Sequence, residues 1–156
     1  MKKIKHENGK KADFKNLFKQ IPSEEICGNS DVFTMAGKDF FAITAGRKSR
    51  YNSMIGSGGG LGMLFRKPVT WCLIKADRYT LELILKEQAY TMTFFPNEYK
   101  KQMLFLGSKS GRDSGKMKEV DLTGVRTPSG NMSFKEARLI VECKLTQITT
   151  PNPGDF

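Results

Sequence analysis

Three short stretches carry residue types suited to holding an anionic, flat ligand. They are Tyr51-Asn52-Ser53-Met54-Ile55-Gly56-Ser57 running into the glycines up to Gly62, Asp77-Arg78-Tyr79-Thr80, and Gly107-Ser108-Lys109-Ser110-Gly111-Arg112-Asp113. Glycine lets a backbone come close to a planar group, so that N–H groups reach its polar edge without an intervening side chain. The small residues at 107–111 allow a nest of N–H groups beside Lys109 and Arg112. Arg78, at an expected helix start, adds a cation where the helix dipole already favours an anion. Each stretch alone also reads as a loop, a capped helix or a surface turn. Together they make two phosphate-friendly segments and one ring-friendly segment.

Other chemistries are poorly supplied. The 156 residues include one histidine, His6, in a Lys-rich head, which disfavours Ser-His-Asp and Cys-His hydrolases. Cys27, Cys72 and Cys143 are far apart and have no C-x-x-C spacing, so they read as reduced, mostly buried thiols rather than zinc or redox ligands. No metal site is expected. The glycines do not sit between a strand and a helix, and no Gly-Lys-Ser or Gly-Lys-Thr follows them, so Rossmann and P-loop sites fit badly.

The net charge of +10 is concentrated in two places. Residues 1–20 hold seven lysines against Glu7 and Asp13, and residues 100–118 hold six cations against Asp113. The first cluster reads as a solvated tail. The second coincides with the Gly/Ser-rich loop and suits an anionic ligand, whether phosphate, dinucleotide or nucleic acid. The aromatics fall mainly in expected core strands rather than among Lys and Arg, which argues against a nucleic-acid partner. No apolar run approaches the roughly 18 residues of a membrane span. No secretory pattern opens the chain, so the expected location is cytoplasmic.

The elements that must position these stretches are mostly strands. Residues 31–35 and 40–45, around Gly37-Lys38-Asp39, read as a hairpin, and 51–55 as extended. The glycines of 56–62 interrupt any regular pattern, and 68–75 reads as a strand buried on both faces. Asp77 is the expected N-cap of a helix over 78–88. A strand over 90–95, a helix over 97–106, a short polar helix within 112–120 and a long alternating strand over 134–149 complete the pattern. Residues 1–30 form a basic head and 31–156 one domain, an antiparallel barrel with helices over its openings.

Five segments in order, Tyr51 to Met54, Gly59 to Gly62, Lys67 to Val69, Arg78 to Thr80 and Gly107 to Asp113, resemble the flavin reductase-like, FMN-binding split-barrel family. The similarity runs from about Val32 to Phe156. The resemblance implies a mainly β fold, a six-stranded antiparallel Greek-key split β-barrel with two or three helices, which dimerises with FMN near the subunit interface. It implies that Asn52, Ser53, Met54, Ile55, Gly56 and Ser57 lie along the isoalloxazine. It assigns the ribityl phosphate to Arg78, Tyr79, Thr80, Ser108, Lys109, Ser110, Gly111 and Arg112. This chain has Ile55 where relatives have Thr, Gly58 where they have Trp, and no counterpart of their last strand after residues 150–156.

In a flavin enzyme the cofactor carries the redox chemistry and the protein orients it, so no catalytic acid or base is required. The resemblance implies a flavoprotein that uses NADH or NADPH to reduce bound flavin, for delivery to free flavin, a protein or a small acceptor. The alternative is a flavoredoxin-like electron carrier that binds FMN and has no nicotinamide site of its own.

Overall fold

A computed structural model describes residues 14–22, 25–26, 40–112, 115–152 and 154. His6, Cys27, the expected strand at 31–35 and Asp113 lie outside the described residues. β1 (Phe41–Arg47) is the pivot of the fold. It pairs antiparallel with β2 (Arg50–Gly56) on one side and β5 (Ala89–Phe94) on the other, and β5 pairs with β8 (Leu139–Lys144), giving a sheet ordered β2-β1-β5-β8. Between them in sequence, β3 (Gly59–Leu64) and β4 (Lys67–Cys72) form a separate hairpin, as do β6 (Gly124–Arg126) and β7 (Met132–Phe134).

β1 is buried on both faces because its alternate residues serve two cores. Phe41, Ile43 and Ala45 join Leu83, Ile84, Tyr90, Met92 and Phe94 on one face. Ala42 joins Phe95, Met103, Leu106, Val120 and Phe134 on the other. Polar residues inside are paired: Thr44 and Ser53 share a hydrogen bond of 2.9 Å, and Thr93 and Ser133 one of 2.7 Å. Helix α2 (Tyr79–Glu87) packs on the first face, and α3 (Lys100–Ser108), preceded by a 3-10 turn over Asn97–Tyr99, on the second. The short helices α1 (Phe14–Leu17) and α4 (Lys116–Glu119) complete the inventory of described elements.

The described residues hold eight strands in three antiparallel sheets that do not close into one ladder. Other expectations are corrected. The glycines do not break the pattern. Residues 59–64 are β-strand, and Gly60 stands opposite Trp71, whose indole Nε1 lies 2.3 Å from where a Cβ would be. The strand expected over 68–75 is not buried on both faces: Trp71 is 55% and Leu73 53% exposed. Asp77 does not cap α2; Arg78 is the N-cap residue and makes no side-chain cap bond. The strand expected from 134 to 149 is shorter, β8 over Leu139–Lys144, and Phe134 instead ends β7. The β6–β7 hairpin, which supplies Ser133 to the second core, has no counterpart in the sequence reading.

Candidate functional site

β2 is an edge strand of the main sheet, and both helices arrive at that edge, one on each face. Pleating sends Asn52 and Met54 towards α2, and Ser53 and Ile55 towards α3. Between the start of α2 and the loop after α3 lies a cleft of about 280 Å³. Asn52, Met54, Ile55, Arg78, Tyr79, Thr80, Lys109, Ser110, Gly111 and Arg112 line it, with Asp77, Leu106, Gly107 and Lys116.

The floor is Asn52, only 2% exposed. Its Nδ2 donates to Thr80 Oγ1 at 2.8 Å, which fixes the amide, while its buried Oδ1 has no hydrogen-bond partner. A buried carbonyl oxygen left unpaired costs about 1–3 kcal/mol, so such an atom marks where a ligand donor belongs. The loop closes directly over this amide. A Cβ at Gly111 would lie 2.3 Å from Asn52 Cγ, so only glycine allows that approach.

The walls are cationic. Arg78, Lys109, Arg112 and Lys116 face Asp77 alone among the lining acids. Arg112 Nη1 donates to the Asp77 carbonyl at 3.0 Å, its Nη2 pairs with Glu82, and its guanidinium lies 5.7 Å from the Tyr79 ring centroid. These contacts tie the loop to the first turns of α2. Lys109 pairs with Glu119 of α4. Arg50 Nε donates to the Tyr79 hydroxyl at 2.5 Å, with its guanidinium 5.5 Å from the ring. Arg78 makes a 3.8 Å contact with Asp77, its side chain about half exposed. The start of α2 lacks a side-chain cap, and its positive dipole end adds to the same field.

Ten of the fourteen residues singled out in the sequence meet here. Ser53, Gly56, Ser57 and Ser108 do not. Ser53 is wholly buried against Thr44, Gly56 is buried, Ser57 is exposed outside the cleft, and Ser108 Oγ donates to the Phe105 carbonyl at 3.0 Å. Lys116, 3% exposed, and Leu106 were not anticipated. Lys116 belonged to the basic run 100–118, so its charge was visible and its place in the cleft was not. At Gly58 a Cβ would meet Leu73 Cδ1 at 3.2 Å, so Leu73 occupies the space next to this glycine.

Shifted pKa values are found around β4, β5 and β8. Burial pushes the Cys72 thiol up to about 11 and also raises Tyr90 and Cys143, while burial raises the Tyr51 phenol on β2. Thr70 Oγ1 lies 3.2 Å from both the Tyr90 hydroxyl and Cys143 Sγ. These thiols stay protonated at neutral pH and are not activated nucleophiles.

No protein-family model matches the sequence, and no characterised protein matches it in a sequence search. Solved structures do match the fold. The FMN-binding protein of Thermus thermophilus, solved with bound p-hydroxybenzaldehyde, aligns with a TM-score of 0.64 at 20% identity, covering 72% of this chain and 62% of that one. The flavoredoxin of Desulfovibrio vulgaris (Miyazaki F) aligns at 0.66 and 20%, with the same coverage. The 2-nitrobenzoate 2-nitroreductase of Pseudomonas fluorescens aligns at 0.61 and 16%, covering 84% of this chain and 67% of that one. The chain thus has the fold of these flavin proteins and spans 62% of the length of the first two.

Proposed function

We propose that this chain, which has the fold of flavin reductase-like and flavoredoxin proteins, is a cytoplasmic FMN-binding flavoprotein that acts as a homodimer. The observation that carries the reading is the orphaned Oδ1 of Asn52 on the floor of a cleft walled by Arg78, Lys109, Arg112 and Lys116. A ligand that satisfies both features is an anion with a hydrogen-bond donor close by, as a phosphorylated polyol is.

The residues present fit that cofactor. Arg78, Lys109, Arg112 and Lys116 would hold the phosphate together with the start of α2, and Asn52 would accept from a ribityl hydroxyl. At about 280 Å³ the cleft is slightly below the ~300–1,000 Å³ of sites that enclose a drug-sized ligand, so it suits the charged end and leaves the ring outside it. Bound FMN would supply hydride or electron transfer, and the protein supplies position, charge and exclusion of water.

The activity proposed is NADH- or NADPH-dependent reduction of the bound flavin, with onward transfer to a flavin, protein or small-molecule acceptor. The second reading is an electron carrier without a nicotinamide site, favoured by the fold match to a flavoredoxin.

An absorption spectrum of the protein with FMN, followed under anaerobic conditions by NADH and then NADPH, tests both. A shifted flavin band that bleaches with either nucleotide is expected for the reductase. A shifted band that persists selects the carrier, and a spectrum identical to free FMN removes the flavin reading.

A further inference from the structure

The main sheet has two outer strands, and they differ. β2 carries the cationic cleft, whereas β8, at the other end of the order β2-β1-β5-β8, pairs with β5 alone among the described strands. The register of Ala89 with Lys144 makes Gln88 and Leu145 direct opposites, and the Leu145 N–H donates to the Gln88 carbonyl at 2.9 Å. Hydrogen-bonded pairs alternate along an antiparallel ladder, so Leu139, Val141 and Cys143 direct their N–H and C=O groups at β5. Ile140, Glu142 and Lys144 direct theirs outward, away from the sheet.

Beside that edge runs a groove of about 900 Å³. Leu61, Pro68 and Val69 of the β3–β4 hairpin line it, as do Phe14, Leu17 and Phe18 in and after α1. Leu139, Val141 and Cys143 also line it. These three pack against the first core and yet stay half-buried, while Ile43 and Met92 on the inner strands of the same core are fully covered. Among the described residues the core is therefore unfinished at β8. It lacks backbone groups to pair with residues 140, 142 and 144 and side chains to cover 139, 141 and 143, and one added strand supplies both.

We infer that the β8 edge takes up an extended, acidic segment of a partner protein as a fifth strand of the main sheet. Charge selects the acidic segment: Lys19, Lys135, Arg138 and Lys144 line the groove against one carboxylate, Glu142. That carboxylate already accepts from the side chains of Thr127, Ser129 and Asn131. The pleat sets the alternation, since partner residues opposite Leu139, Val141 and Cys143 put their side chains on the apolar first core. Those opposite Ile140, Glu142 and Lys144 fall on the other face, where an acid suits Lys144 and the diagonal neighbour Arg138, and an uncharged residue suits Glu142. The edge lies three strand spacings, about 14 Å, from β2, so this inference does not rest on the flavin cleft.

The test is fluorescence anisotropy with an amidated peptide, Glu-Val-Thr-Val-Glu-Val, carrying fluorescein on an N-terminal Gly-Gly spacer and titrated with the full chain, with and without FMN. Saturable binding is expected. The analogue N-methylated at both Glu and at Thr, whose N–H groups would face β8, is expected to bind at least about tenfold more weakly. Lys144→Glu is expected to weaken the parent peptide, and less so as salt rises. Ile140→Pro removes an outward donor and leaves the β5–β8 ladder whole, as proline on an edge does, and is expected to weaken binding as well. The N-methylated comparison uses the wild type and stays decisive if Ile140→Pro does not fold. No saturable binding, or equal affinities for the two peptides, overturns the inference. So does a wild-type mass of two chains that drops to one in Ile140→Pro, because a second copy would then hold the edge. A chain that binds the peptide and not FMN would sink the flavin reading and leave this one standing.

Discussion

At the scale of residues, the site turns on the Asn52 amide and the glycine above it. The Asn52→Ala protein should bind FMN about 1 kcal/mol more weakly, roughly five-fold in Kd, since a neutral hydrogen bond is lost. Its melting temperature should also fall, because the buried hydrogen bond from Nδ2 to Thr80 is lost with the amide. Arg78→Ala should weaken FMN by about 1–3 kcal/mol, as for a charge-assisted bond, with little change in stability because its ion pair with Asp77 is a 3.8 Å surface pair. Gly111→Ala should weaken FMN more than Arg78→Ala, because the new methyl displaces the loop that carries Arg112. Fluorescence titration ranks the three, and equal affinities would detach the cleft from the flavin. The sequence made the charges of this site legible but not their partners. It grouped residues 52–57 as one run, and of these Asn52, Met54 and Ile55 line the cleft while Ser53 is paired with Thr44 inside the sheet.

At the scale of elements, strands with regular alternation were legible and glycine-rich ones were not. β1, β2 and β5 lie within a residue or two of their expected bounds, although β1 and β5 are buried on both faces. β3 was read as an interruption because β-strand glycines are explained only by what packs on them, and at Gly60 that is an indole eleven positions away in sequence. The cap of α2 was assigned to Asp77 by residue type, but the helix starts later and the Asp77 carbonyl is engaged by Arg112. The β1–β2 turn offers an element-scale test. Gly46 has φ +105° and a Cβ there would lie 2.4 Å from the Arg50 carbonyl, so Gly46→Ala should destabilise the fold by more than about 1 kcal/mol, read as a lower urea midpoint. FMN affinity should fall with it, since this turn sets the register that places Asn52 opposite Ala45.

At the scale of the whole molecule, titration and charge give the remaining tests. The Cys72 thiol ionises near its ordinary value of 9.0 in the unfolded chain and at about 11 in the folded one, so between these values the unfolded state holds fewer protons and stability falls as pH rises. Tyr90 and Cys143, also raised, act in the same direction. Cys72→Val should therefore show a shallower loss of melting temperature from pH 9 to 11 than the wild type. Unequal charge along the chain was legible from the start, and part of the run 100–118 does converge on the cleft through Lys109, Arg112 and Lys116. That the β3–β4 hairpin and Leu73 after it would carry half of the exposed large hydrophobics among the described residues was not legible, because exposure depends on which strand edges remain open. The most direct test of the central claim is the ratio of Kd for riboflavin to Kd for FMN, measured by fluorescence quenching at low and high salt. A phosphate held by the cationic cleft predicts FMN at least tenfold tighter, about 1.4 kcal/mol, with the gap narrowing as salt rises. Equal affinities at low salt would contradict it.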